Sequence, residues 1–423
     1  MECSIEELVT TGLLLLFLTH FFIPILQPVE SSLFSAASQD QTMLGQCINL
    51  AVWAIAGALM FRSHRAIASR WREVGWTVAF SALTLASAAW SQDFGITLRK
   101  SVFLILTTLF GIYFARRYTM ERQMQLICVA GLIAALLSIF FALLLPKYGI
   151  DHDVHEGVWL GIFTQKNVCA REMLFLLATV LPYRPRRSGL KACRIAAIFG
   201  IVAVIVGTQS KTALLIMAVV VLLFPALVLV RRVSRSLLLV AGASALGVAV
   251  VGWVLEASAL PQLIALLGRD STMTGRTEIW QAVLQAIMKH PLLGYGFAAF
   301  WLSLRGESAN IIVALRWAVP AAHNGFLEIW LQLGAAGLFL FAAGFLFALR
   351  SALRGLRQPS FSRAAWPLAV ILLLTVVYNL DESSLMQPND FLWMLYVATL
   401  VNLAVPSRTT QRFYMLGQPL PAS

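Results

Sequence analysis

The chain has 423 residues, 59% of them apolar and 12% charged, with a mean hydropathy of +0.79 and a formal net charge of +12. Soluble domains carry about 25% charged residues, so a set of water-exposed globular surfaces is excluded. Continuously apolar runs of about 20 residues, the helix length that crosses a ~30 Å hydrocarbon core, recur along the chain and disfavour the alternating strands of a β-barrel.

These runs predict an all-α polytopic membrane protein, a single integral membrane domain over 1–423. In chain order, twelve transmembrane helices are expected at about 8–26, 44–61, 74–90, 98–115, 124–145, 168–183, 194–209, 212–230, 236–256, 323–348, 364–380 and 391–405. The first reads as a span and not a cleaved signal. Its flank is acidic (Glu2, Glu6, Glu7), and Phe21-Phe22-Ile23-Pro24 offers no small-residue cleavage site.

Alternate connections are rich in arginine, for example Arg62, Arg65, Arg70 and Arg72 after the second span and Arg350, Arg354, Arg357 and Arg363 after the tenth. On this reading one side holds 21 of the 32 Lys and Arg with five acids, a charge of +16, and the other holds 11 bases and 15 acids, a charge of −4. The positive-inside rule then places both termini in the cytoplasm. Basicity is a topology signal, aided by anionic membrane lipid, and no nucleic-acid partner is expected. The five cysteines form no CxxC pair, so neither a disulfide framework nor a zinc site is indicated.

The outward face carries the rarer cations. Gly161-Ile162-Phe163-Thr164-Gln165-Lys166-Asn167 precedes the sixth span, and Arg171 and Glu172 lie one turn inside it, where charge is costly and a buried or cavity-facing role is expected. Asp151-His152-Asp153-Val154-His155-Glu156 lacks the spacing of a metal site, and no metal is assigned. Gln209-Ser210-Lys211-Thr212 forms a tight turn between spans seven and eight. There Lys211 either snorkels to the interface or faces a phosphate.

The longest connection, about 258–322, is expected to be a periplasmic catalytic loop. It contains an amphipathic helix in which Ile279, Trp280, Val283, Leu284, Ile287 and Met288 recur at helical spacing, opposite Thr277, Gln281, Gln285 and Lys289. That helix is expected to lie at the outer interface. Arg276 in its first turn is unfavourable to the helix dipole, yet with the free N–H groups there it makes an anion site; a lipid-headgroup contact is the alternative. His323-Asn324 stands where the loop re-enters the membrane. A histidine there is a candidate general base, with Glu328 a poor partner because i+5 is off its helical face. Gly334 and Gly337 read as packing glycines. Asp381-Glu382-Ser383-Ser384 closes the eleventh span and reads as a solvated end.

The twelve spans, the late outward loop and four motifs resemble the O-antigen ligase and polymerase superfamily. The motifs are Thr208-Gln209-Ser210-Lys211-Thr212, Gly275-Arg276-Thr277-Glu278-Ile279-Trp280, His290-Pro291-Leu292-Leu293-Gly294-Tyr295-Gly296, and His323-Asn324 with Gly334 and Gly337. Within that superfamily, the 161–167 segment and Asp381-Glu382-Ser383 are most similar to the succinoglycan-type exopolysaccharide polymerases.

The resemblance implies a metal- and cofactor-independent glycosyltransferase of the bacterial inner membrane that takes an undecaprenyl-diphosphate-linked glycan at the periplasmic face. It implies His323 as the group that deprotonates or positions the acceptor hydroxyl and Arg276 as the diphosphate contact. Lys211 stands where the ligases usually have arginine; it keeps the charge and loses the bidentate fork. Lys166 and Arg171 complete the candidate substrate-binding cations. The expected function is polymerisation of lipid-linked repeats into an exopolysaccharide or O-antigen-like polymer, with a flippase and a chain-length regulator as partners. The alternatives are a ligase that moves glycan to lipid A core or protein, and a twelve-helix transporter. The short central loop and the off-centre outward loop argue against transport.

Overall fold

The computed structural model describes residues 4–26, 43–64, 74–152, 156–229, 275–317, 319–356, 362–380 and 382–404. Among these, regular structure is helical: α1 (Ile5–Leu18), α2 (Met43–Arg62), α3 (Gly75–Ala86), α4 (Phe94–Arg117), α5 (Met120–Leu144), α6 (Lys166–Val180), α7 (Ser188–Gly207), α8 (Lys211–Leu229), α9 (Gly275–Lys289), α10 (Ser308–Leu315), α11 (Gly325–Leu356), α12 (Ser362–Asn379) and α13 (Phe391–Ala404). The protein is a polytopic helical membrane protein. Five of these helices, α2, α4, α5, α7 and α11, are long and apolar enough to cross a membrane, and shorter apolar helices cover Lys211–Val221, Ala365–Asn379 and Phe391–Ala404. The expected ninth span, 236–256, and the loop segment 258–274 lie outside the described residues.

Several helix ends follow from local sequence. Ser4 and Glu7 form a reciprocal capping box at the start of α1, Asp93 accepts from the Ile96 N–H to cap α4, and Thr119 accepts from the Arg122 N–H to cap α5. The first helix departs from expectation. It stops at Leu18 and not near residue 26, because His20 and Phe21 take positive φ values of 53° and 65° and turn the chain back on itself.

The bundle closes around α6 and α13, whose side chains are almost all buried. Gly111 of α4 lets α13 approach closely, since a Cβ there would lie 2.8 Å from the Met394 carbonyl oxygen. Helix α7 packs on α5 and α6, and α12 packs on α11.

Helix α11 is broken at Gly334, which has φ 65° and ψ −168°. The break leaves backbone groups without helical partners, and the 291–296 segment supplies them. Ala335 N–H donates to the Pro291 carbonyl at 2.8 Å, Tyr295 N–H to Leu331 at 3.1 Å, and Gly296 N–H to Gln332 at 2.9 Å. Two glycines meet here: a Cβ on Gly334 would fall 2.2 Å from Leu292 backbone, and one on Gly294 would fall 2.5 Å from Gln332 backbone. Gly334 is therefore a packing glycine, and also the site of the kink.

The described part of the long loop folds on itself. Ile279, Val283 and Ile287 of α9 form an apolar cluster with Tyr295, Phe300, Ile311 and Leu331. The side of the stripe formed by Ile279, Val283 and Ile287 is thus covered by protein, whereas Leu284 and Met288 on its flank stay 40% and 58% exposed. The start of α9 lies near Ala322 and its end near Gly334, so α9 runs parallel to the first part of α11.

Candidate active site

The site lies at one end of the bundle, where the starts of α6, α8, α9 and α11 meet the end of α12. Its centre is Glu382, just beyond α12. The Glu382 carboxylate faces His323 Nδ1 at 3.2 Å, accepts from Asn167 Nδ2 at 3.2 Å, and lies 3.5 Å from the Arg276 guanidinium. The Asn167 side-chain oxygen in turn accepts from the Ser210 hydroxyl at 3.3 Å, and the Tyr378 hydroxyl donates to the Asn167 carbonyl at 3.2 Å. Residues from three other segments of the chain therefore meet at one carboxylate, and Ser210 and Tyr378 join the network through Asn167.

Local structure explains the placement. Asn324 caps α11, its side-chain oxygen accepting from Phe326 and Leu327 N–H groups at 3.0 and 3.1 Å. Asn324 also ties the turn to the end of α12, its N–H donating to the Ser383 hydroxyl at 3.0 Å. His323, just before the cap, has a left-handed φ of 49°, a strained conformation that aims its ring at Glu382. Trp280 of α9 donates to the Ala322 carbonyl at 2.9 Å, which couples the helix bearing Arg276 to the residue before His323. Gly325 admits the α12 end, since a Cβ there would meet the Asn379 side-chain oxygen at 2.2 Å.

Glu382 retains only 18% of its side-chain exposure. Burial alone would raise its pKa. The hydrogen bond with His323 and the charges of His323, Arg276 and Arg171 outweigh that effect and hold the carboxyl below its usual range. An ionised carboxylate only accepts hydrogen bonds, so His323 Nδ1 carries the proton and Nε2 is the nitrogen able to take another. Glu328, the sequence-adjacent acid, is engaged elsewhere: it accepts from Trp301 Nε1 at 2.8 Å, Ala322 N–H at 2.8 Å and Gln332 Nε2 at 2.6 Å. It braces the loop.

The remaining cations fall into two sets. Lys211 is exposed at the start of α8, next to Ser210, and its charge is felt at Lys166. Lys166 opens α6 beside Asn167. Burial lowers its pKa first and repulsion from Lys211 adds to this, while Asp151 acts in the opposite sense. Arg171 sits one turn deeper, buried, with its guanidinium 3.0 Å from both Glu172 and Asp390 and 3.3 Å from His20. His20, Glu172 and Asp390 have the donor atoms of a metal site, all within 4.8 Å of one another. The guanidinium already supplies the positive charge between the carboxylates.

Sequence reasoning singled out His323, Arg276, Lys211, Lys166 and Arg171, and it missed Glu382. Its available signal was an acid at the mouth of an apolar span, within a segment read as a solvated end. Ser210 and Asn167 lay inside quoted motifs without an assigned role.

The fold and site define a polytopic helical membrane protein with a histidine–carboxylate pair and arginine gathered at one end of the bundle. The O-antigen ligase family model matches residues 195–342, a stretch that holds Ser210, Lys211, Arg276 and His323. The chain is also 26% identical over 306 residues to the exopolysaccharide production protein ExoQ of Rhizobium meliloti (strain 1021), covering 70% of this chain and 69% of that protein. Together these matches support the O-antigen ligase and polymerase superfamily as the family of this chain.

Proposed function

We propose that the protein is a polymerase that joins polyprenyl-diphosphate-linked oligosaccharide repeats into an exopolysaccharide at the periplasmic face of the bacterial inner membrane. The observation that carries the chemistry is the convergence of His323, Glu382 and Arg276. The likeness to an exopolysaccharide production protein favours polymerase over ligase, and the family match favours glycan transfer over transport.

The acceptor hydroxyl places its proton on His323 Nε2 as its oxygen bonds to the anomeric carbon of the donor sugar. The bond from that carbon to the diphosphate oxygen breaks, and the electron pair leaves with the diphosphate. Glu382 holds the imidazole in the required tautomer and stabilises the imidazolium. Arg276, with Lys211 and Lys166 beside it, meets the charge developing on the leaving group. Arg171 contributes through its field on Glu382. Diphosphate leaves readily without a proton, so no separate acid is required. Single displacement inverts the anomeric configuration.

Purified protein in lipid, supplied with lipid-linked repeats alone, tests the reading. A polymerase lengthens the lipid-linked chains. A ligase consumes the donor only when lipid A core or a protein acceptor is added, and that outcome would overturn the polymerase assignment. Retention in the product would overturn single displacement.

A further inference from the structure

Helix α9 begins at the site with Arg276 and ends in a tip that the chemistry above does not use. At this tip Met288, Leu292 and Leu293 retain 58%, 70% and 47% of their exposure. None of the three belongs to the apolar cluster beneath α9. Three apolar side chains within six positions, set in water, carry an unfavourable free energy with no structural return.

The depth of the tip follows from α11. The tip is docked on the break at Gly334, through the Pro291 and Leu292 carbonyls. From Gly334, α11 runs uninterrupted to Arg350 and Arg354, and at about 1.5 Å per residue those arginines lie about 24 and 30 Å away along the axis. A membrane-spanning helix that ends in arginines keeps them at the headgroups, and the hydrocarbon core is about 30 Å thick. Gly334 then stands at the opposite edge of the hydrocarbon, and Leu292 and Leu293 with it. Two indoles mark the same level: Trp90 donates to the Leu293 carbonyl at 2.9 Å, and Trp330 to the Pro291 carbonyl at 3.0 Å. Tryptophan favours that boundary because its ring is apolar and its N–H polar.

We infer that the 288–293 tip is a membrane hook: Met288, Leu292 and Leu293 insert among phospholipid acyl chains at the outer edge of the bilayer. Beyond the break, Phe339, Leu346 and Phe347 of the membrane-length helix α11 are exposed as well, and an apolar face on a spanning helix meets acyl chains, which selects lipid over a second copy of the chain. Because α9 is one rigid helix, the hook also tethers the end that carries Arg276.

The test places the photo-crosslinker p-benzoylphenylalanine at Leu292 in the full-length protein, reconstituted in nanodiscs of phosphatidylethanolamine and phosphatidylglycerol. After irradiation, the intact mass should rise by that of one phospholipid. An adduct with a second protein copy, an adduct of polyprenyl mass, or an unchanged mass would each overturn the hook. If the Leu292 variant does not accumulate, the same readout at Leu293 or Met288 decides the question.

Discussion

His323 Nδ1 lies 3.2 Å from a Glu382 carboxylate oxygen although 59 positions separate the two residues in the chain. The pair joins the start of α11 to the end of α12 and makes the imidazole a base with a defined tautomer. Replacing Glu382 by Gln keeps the shape and removes the charge. Turnover of a lipid-linked donor should fall by roughly 10²–10⁴-fold, the usual worth of a positioned acid–base group. Glu382→Asp should recover part of it. Initial rates with purified protein check this, and a Glu382→Gln rate equal to wild type would remove the orienting role.

Arg276 faces the same carboxylate at 3.5 Å. Arg276→Ala should lower kcat by about 10²–10³-fold if it stabilises the departing diphosphate. Arg276→Lys should be intermediate, because it keeps charge and loses the fork. Steady-state kinetics over a range of donor concentrations separate this from a loss confined to KM, which would mean ground-state binding only.

The depressed pKa of Glu382 has a stability consequence. A carboxyl whose folded pKa lies below its unfolded value contributes stability that is fully present above the unfolded value. That contribution is lost as pH falls through the folded one. Thermal unfolding in detergent should therefore show a stability loss that begins below about pH 4.5 and develops toward lower pH. Glu382→Gln should flatten that acid limb. An unchanged limb in the variant would assign it to other groups.

Gly334 combines a positive φ of 65° with a site where a Cβ would lie 2.2 Å from Leu292 backbone. Gly334→Ala should destabilise by about 1–3 kcal/mol from backbone strain alone, and by more if the 291–296 segment is pushed away. The melting midpoint should drop, and cleavage near residues 291–296 by added protease should quicken. Gly337→Ala has no positive φ to strain, yet its Cβ would lie 2.3 Å from the Leu333 Cβ, so it should also lower the melting midpoint.

Arg171 lies between two buried carboxylates, at 3.0 Å from each. Removing it leaves both uncompensated, so Arg171→Ala should cost about 3–5 kcal/mol. Arg171→Ala with Glu172→Gln should regain part of the loss. Equal destabilisation in single and double variants would show that the charge balance is not what holds this cluster together.

Much of the scaffold is legible without coordinates. An apolar run can satisfy its backbone in lipid only as a helix, and accordingly the eleven expected spans within described residues each fall on one of the helices above. Periodicity placed α9 at its observed extent, and the cost of charge inside apolar helices marked Arg171. The rare charges on the outward side pointed to Arg276, Lys211 and Lys166, and a histidine at a span mouth pointed to His323. The partner of that histidine, the break at Gly334 and the early stop of α1 were not legible. Helical spacing reports only neighbours within a few turns, so it offered Glu328 and could not offer Glu382. It also cannot tell which members of an apolar stripe are covered by protein, so the burial of Ile279, Val283 and Ile287 and the exposure of Leu284 and Met288 on α9 emerge only in the fold. Composition and periodicity by themselves determined a helical membrane protein and a short set of candidate side chains. Only the tertiary structure decided which of them meet, because the packing of five chain segments at one end of the bundle is a long-range contact that no local pattern encodes.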